Sequence, residues 1–287
     1  GGRAAGEGAQ VSGRRSGRSP APRPPGRGGG CRVPGRCRAA VSPAPLWLAL
    51  RLPALALEAQ IRGMAERETV PLAVVAEQQG AARVLYGNGL AARRGVAPGL
   101  ALTAALALVP ELIAVRRDVT LEQGLLQTLG AWAYGRSSRV VVVTEPAPAG
   151  TRDSGGEQGL LLEVGASRRL LGAPEALAEQ AAGALATRGF SVRWALAPTP
   201  LAAWWLAAFR NASRVAAPTE LAAALAPLPL ELLGLPADTL GTLRGTGLTC
   251  LGELAAQPRD ALARRLGPEL PARLDRALGL RTDPRVE

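Results

Sequence analysis

The chain changes character near residue 46. Residues 1–45 are rich in Gly, Arg, Pro and Ser and hold almost no large apolar side chains. Such a segment buries too little surface to offset its ordering entropy, so a disordered tail is predicted there. From Leu46 onward, apolar runs of strand length alternate with helical spacing. The run 46–50 predicts a short buried strand, and Leu57, Ile61 and Met64 follow at helical spacing. Residues 71–76 and 83–86 predict two more strands around a turn at Gln78-Gln79-Gly80. Helical pieces at 90–94 and 101–109 are punctuated by Gly95, Pro98-Gly99 and Pro110. Leu121, Leu125, Leu129 and Trp132 set the apolar face of a helix over 121–134.

Four consecutive valines in 139–144 predict a central strand. A Pro/Gly-rich loop over 145–158 leads to a strand at 159–164. A helix over 174–188 has Pro early and Gly189 at its end. A strand at 190–197 precedes a helix at 199–209 carrying Leu201, Trp204, Trp205 and Leu206. After Pro218 the pattern is all helical, broken at 234–236, 245–247, 258 and 267–268. This order predicts an α/β body with a partly antiparallel sheet, followed by a helical domain. The expected organisation is a tail over 1–45, the body over 46–215 and the helical part over 216–287.

Charge changes the picture little. The formal charge is +11 and all of the basic side chains are Arg. Nine Arg and one Glu lie in 1–45, leaving 25 Arg against 22 acids in the rest. The high isoelectric point therefore belongs mostly to the tail and does not by itself define a nucleic-acid surface. Histidine is absent, which excludes Ser-His and Cys-His nucleophiles and His-containing zinc sites. Cys31, Cys37 and Cys250 are an odd set, so a disulfide framework is not expected. No apolar run reaches the ~20 residues that span a bilayer, and no apolar signal core opens the chain, so a cytoplasmic protein without membrane contact is expected.

Several side chains are candidates for chemistry. Helices joined by Gly-containing turns over 231–267 have helix-hairpin-helix character, in which Gly234, Leu235, Arg244, Thr246 and Gly247 would meet a DNA phosphate. The competing reading is a plain helical bundle with Gly caps. Pro236 stands where a second glycine would offer an N–H, and proline has none. Glu58 and Glu163 could form a carboxylate pair, although a solvated edge is the commoner role. Trp204 and Trp205 could stack on a base, but their spacing favours the core. The Gly87–Gly89 pair lacks the rest of a dinucleotide fingerprint.

Five blocks carry a family resemblance: LWLALRLPALALE (46–58), RVLYGNGLAARRGVAPGLALTAALALVPELIAV (83–115), GLLLEVGAS (159–167), RWALAPTPLAAWWLA (193–207) and GLTCLGELAAQPRDALARRLG (247–267). In succession they resemble the Y-family (UmuC/DinB-type) DNA polymerases, and especially their catalytically degenerate ImuB-like branch. The resemblance implies a ferredoxin-like palm, a small helical fingers insert at about 87–118 and a helix-hairpin-helix thumb, with the little-finger domain absent. It also implies carboxylates on two strands that hold two Mg²⁺ ions. Here the first set reads Arg51, Leu52 and Pro53, and the second reads Gln158 and Gly159, with Glu157 one residue off. The sugar-screening pair reads Leu55 and Ala56. The triphosphate contacts fall at Gly89 and Ala92, beside Arg93 and Arg94, and the palm-helix pair reads Thr199 and Pro200.

The resemblance thus implies a non-catalytic accessory in DNA repair, translesion synthesis and damage-induced mutagenesis. No metal or other cofactor is expected. The implied partners are DNA, an error-prone replicative-type polymerase, a RecA-like protein and the sliding clamp. The alternatives are an active error-prone polymerase with rearranged carboxylates, which alone would need Mg²⁺, and a simple DNA-binding protein acting through the tail.

Overall fold

The computed structural model describes residues 45–64, 69–78, 80–145 and 157–286. They belong to one unit over 42–287. The expected tail and most of the Pro/Gly-rich loop lie outside the described residues.

In chain order the body runs β1 (Trp47–Arg51), α1 (Leu55–Ile61), β2 (Leu72–Gln78), β3 (Ala81–Gly87), α2 (Gly89–Arg93), α3 (Leu102–Leu108), β4 (Ile113–Arg116), α4 (Val119–Ala133), β5 (Val140–Glu145), β6 (Glu157–Glu163), α5 (Arg168–Leu171), α6 (Pro174–Ala186), β7 (Arg193–Ala197), α7 (Pro200–Phe209) and β8 (Ser213–Arg214). The C-terminal part adds α8 (Leu221–Leu225), α9 (Ala237–Gly245), α10 (Leu251–Ala255), α11 (Arg259–Leu266) and α12 (Glu269–Ala277).

The strands form two sheets. The larger has the order β5-β6-β1-β7-β8. Its neighbours β5/β6, β6/β1 and β1/β7 are antiparallel, and β8 adds in parallel to β7. Leaving out the insert, β1-α4-β5-β6-α6-β7 is the split β-α-β arrangement of ferredoxin-like folds. β1 occupies the middle because its apolar run, unbroken through Leu50, can be buried on both faces. The two faces feed different cores. Leu48 and Leu50 pack with α4 and α6, through Leu126, Leu129, Leu177 and Leu185. Trp47 and Ala49 pack with α7 and the C-terminal helices, through Trp204, Trp205, Leu240 and Leu274.

Three expectations are corrected. The valine strand β5 is an edge strand, not a central one, and Val142 is 37% exposed. β-branched side chains report fit to a half-buried pleat, which does not fix a place in the sheet. The buried face of α4 is Glu122, Leu126, Leu129 and Ala133, one residue round from the expected face, and Leu121 is 40% exposed. The insert is not simply helical. Strands β2 and β3 leave the large sheet and join β4, which the sequence pattern missed, in a second sheet ordered β3-β2-β4. β4 is only Ile-Ala-Val-Arg and largely exposed, too short to show a periodicity. Helices α2 and α3 pack on this sheet through Ala91, Val96, Ala105 and Val109.

After 218 the chain is helical as expected, with short α- and 3-10 segments. They are not a separate globule: α8, α10 and α12 share the core of α7. Thr199 fastens this contact, donating from its hydroxyl to the Ala277 carbonyl (2.8 Å) while capping α7 by accepting from the Ala202 amide (3.2 Å).

Candidate functional site

The positions that the resemblance puts in place of metal ligands meet where β1 leaves the large sheet. Arg51 pairs in register with Gly159 on one side and Arg193 on the other. Alternation along β1 puts Arg51 on the face of Trp47 and Ala49, toward α7. Its Nη1 donates to the Trp204 carbonyl (3.3 Å), and its guanidinium lies 4.7 Å from the centroid of the Trp204 ring. Arg193 does the same one turn later, Nη2 donating to the Phe209 carbonyl (3.2 Å). Two like charges opposite one another on neighbouring strands repel. Arg193 meets the last residue of α7, where the carbonyl end of the helix dipole favours a cation, and Arg51 meets the middle of the helix at Trp204.

Next to them is a polar group of three around one buried carboxylate. Glu122 on α4 is 0% exposed. It accepts from Nε (2.7 Å) and Nη2 (2.6 Å) of Arg117, just past β4, and from Gln158 Nε2 (2.6 Å) on β6. Hydrogen bonding to Glu122 holds the Arg117 guanidinium above its usual range. The group ties the insert, α4 and the large sheet together. The Gln158 carbonyl accepts from the Leu52 amide (2.9 Å), so Gln158 lies beside Arg51 and Leu52 with its side chain already committed.

Gly159 cannot carry a side chain as the strands stand. A Cβ there would lie 2.1 Å from the Leu50 carbonyl oxygen and 3.0 Å from the Arg51 Cα. The donor set does not fit Mg²⁺. Arg51 is a cation, Leu52 and Pro53 offer no side-chain oxygen, Gln158 is uncharged and held to Glu122 through Nε2, and Gly159 has no room for a carboxylate. Among the described residues no three His, Cys, Asp or Glu gather as could hold a metal ion.

Glu58 and Glu163 are not a pair at a solvated edge. Glu163 is buried and its Oε1 accepts from the amides of Leu46 (3.4 Å), Gly165 (2.9 Å) and Ala166 (3.3 Å), closing the turn after β6. Glu58, on α1, accepts from the Ser191 amide (2.7 Å), and burial pushes its carboxyl above the usual range. Leu55 and Ala56 are buried. Gly89 begins α2 after the cap Asn88, Ala92 lies within α2, and Arg94 is ion-paired with Glu111. Trp204 and Trp205 are fully buried, as their spacing predicts.

The C-terminal candidates fall around α9. Gly234 is left-handed (φ 60°) between a 3-10 turn at Leu230–Leu233 and α9, and Leu235 packs on the core. Arg244 is ion-paired with Glu231. The Thr246 hydroxyl donates to the Leu243 carbonyl (2.7 Å), and Gly247 has φ 84°. At the next helix start, Glu253 accepts from the amides of Thr249 (2.6 Å) and Cys250 (3.3 Å), and these bonds hold its carboxyl below the usual range. A hollow of about 370 Å³ between α7, α8, α10 and α12 is lined mostly by apolar side chains.

Three residues of this site, Arg117, Glu122 and Arg193, escaped the sequence reading. Glu122 carried a signal: it stands four, seven and eleven residues before Leu126, Leu129 and Ala133, on one helical stripe. Arg193 carried none, because its role depends on strand register.

Solved structures with the same fold include DinB from Sulfolobus solfataricus, which superposes with a TM-score of 0.64 at 17% identity over 84% of this chain and 69% of that one. A Dbh DNA polymerase in a post-insertion binary complex gives 0.65 at 18% identity, again over 84% and 69%. This is the fold of the Y-family DNA polymerases. No family model matches the sequence. The proteins named ImuB from two Caulobacter vibrioides strains, NA1000 / CB15N and ATCC 19089 / CIP 103742 / CB 15, are each 34% identical over 185 residues, 64% of this chain and 38% of theirs. In sequence the chain is similar to ImuB over those 185 residues, and its fold is that of the Y-family polymerases. It spans less than two fifths of the length of these relatives.

Proposed function

We propose that this chain is a DNA-associated accessory of DNA repair and damage-induced translesion synthesis, built on a polymerase body that performs no nucleotidyl transfer. In this reading the large sheet with its helices is the palm, the small sheet with α2 and α3 the fingers, and the C-terminal helices the thumb. The protein would act in the cytoplasm on primer–template DNA and lend contacts to an error-prone replicative-type polymerase, a RecA-like protein and the sliding clamp. DNA binding by Dbh in its binary complex supports the DNA part.

One observation carries the non-catalytic part. At the strand pair where the family places metal-binding carboxylates, a guanidinium faces a glycine that has no room for a side chain. Two Mg²⁺ ions held by carboxylates align and neutralise phosphoryl transfer, and this wall of the site is cationic instead. The rival with rearranged carboxylates draws no support from Glu163, whose Oε1 is filled by backbone amides.

The test is primer extension with Mg²⁺ or Mn²⁺, run beside anisotropy with a labelled primer–template. Binding without incorporation is expected. Template-directed incorporation lost in Glu58→Gln would sink the reading, and absence of DNA binding would remove its DNA-associated half.

A further inference from the structure

Three arginines meet on the side of the large sheet away from α7. Arg136 and Arg188 share one aromatic ring, their guanidinium carbons 3.8 Å and 5.7 Å from the centroid of Trp132. Arg62 lies 4.3 Å from the centroid of Phe190, and its Nη2 donates to the Arg188 carbonyl (2.7 Å). Arg62 and Arg188 are exposed and Arg136 is half-buried. Arg136 also donates to the Trp132 carbonyl (3.3 Å) and Arg188 to the Ala184 carbonyl (2.7 Å). Helix ends near these carbonyls offset at most about half a charge each.

Among the described residues no carboxylate pairs with any of the three. Glu58 is close enough to feel Arg62, but it is bonded to the Ser191 amide. Burial, and then the charge of Arg188, hold the Arg136 guanidinium below its usual range. The cluster is thus a fixed concentration of positive charge on a body whose residues from 46 onward are nearly balanced, with 25 Arg against 22 acids.

We propose that Arg62, Arg136 and Arg188 form a docking site for an acidic segment of a partner protein. Stacking on the rings holds the guanidinium forks in place, and a fixed fork matches a carboxylate with two parallel hydrogen bonds. A nucleic acid fits less well. Strand binding needs a charged track and bare rings for bases to stack on, whereas this cluster is compact and guanidinium groups lie over its rings. It also lies across the sheet from the C-terminal helices, since Trp132 and Phe190 belong to the core of α4 and α6.

The test uses the full chain and a labelled Asp/Glu peptide of about twelve residues, with an oligo-dT of similar charge in parallel. Arg62→Gln/Arg188→Gln keeps the side-chain stems and alters exposed positions, so folding is preserved; Arg136→Gln is the second variant. The 1–45 segment contributes charge of its own, so Arg14→Gln/Arg15→Gln serves as the control for equal charge loss. Peptide affinity should fall about fivefold in the double variant, as two lost exposed ion pairs imply, and about two- to threefold in Arg136→Gln. The tail control should lose less than twofold, and oligo-dT affinity should stay constant across the cluster variants. Equal loss in cluster and tail variants, an unbound peptide, or an oligo-dT affinity that falls with the peptide's would each overturn the assignment.

Discussion

Glu122 offers the sharpest test of how the polymerase-like body is held together. Its carboxylate is fully buried and receives two bonds from Arg117 and one from Gln158. Arg117 is itself mostly buried, its side chain 18% exposed. Glu122→Leu leaves that guanidinium and the Gln158 amide without the carboxylate. Breaking a buried ion pair from one side costs about 3–5 kcal/mol, because the remaining charge keeps its desolvation penalty. Arg117→Met should cost about as much, since it strands the Glu122 carboxylate. Removing both charges removes both penalties. The double variant should then fall within about 1–2 kcal/mol of the parent, the remaining deficit being the lost bond of Gln158.

Urea unfolding of the four proteins gives the cycle. With a slope of about 3 kcal/mol per molar, each single variant should lower the midpoint by about 1–1.7 M, and the double variant by less than about 0.7 M. A single variant that shifts the midpoint by under 0.3 M would refute the idea that this pair is a buried tie. So would a double variant whose loss equals the sum of the singles, because independent sites add and coupled ones do not.

Gly159→Ala should destabilise the chain by at least about 3 kcal/mol, since a Cβ 2.1 Å from the Leu50 carbonyl oxygen forces the middle strand to move; a thermal midpoint within a degree of the parent would contradict the register. Glu58 has a raised carboxyl pKa, so its ionised form is disfavoured in the folded state and the penalty is relieved as pH falls through that raised value toward 4.5. Relative to Glu58→Gln, the parent should therefore gain stability as pH drops from 7 to about 5, and a constant difference in paired melting curves would rule this out.

The sequence made the large sheet and its helices legible, because β1, β6 and β7 are short apolar runs and α6 is framed by Pro174 and Gly189. It concealed what depends on partners distant in the chain. Four valines show that β5 fits a pleat and say nothing of its position at the edge. β2 and β3 were recognised as strands, but their separation into a second sheet depends on β4, whose four residues carry no pattern of their own. For the site, the resemblance placed Arg51, Leu52, Pro53, Gln158 and Gly159 where the family carries acids, and in the proposed reading those acids are missing. What those residues do instead was not, since Trp204, Glu122 and Arg193 reach them only through the folded register.

If the proposed non-catalytic reading holds, this division bears on whether placing acids at these positions could create a metal site. An Asp at 51 would put an anion where the Trp204 carbonyl and the face of the Trp204 ring favour a cation. A Glu at 158 would set a second carboxylate against Glu122, which Gln158 now approaches to 2.6 Å, so one of the two would have to stay protonated. At 159 any side chain meets the Leu50 carbonyl oxygen. Thr199, where the family carries a polar pair on its palm helix, is bound to Ala277 and holds α7 to α12. Each position has been drawn into the packing of a different neighbour, and each neighbour would have to change with it. The obstacle to Mg²⁺ is therefore distributed over the body, and stability opposes its removal one residue at a time.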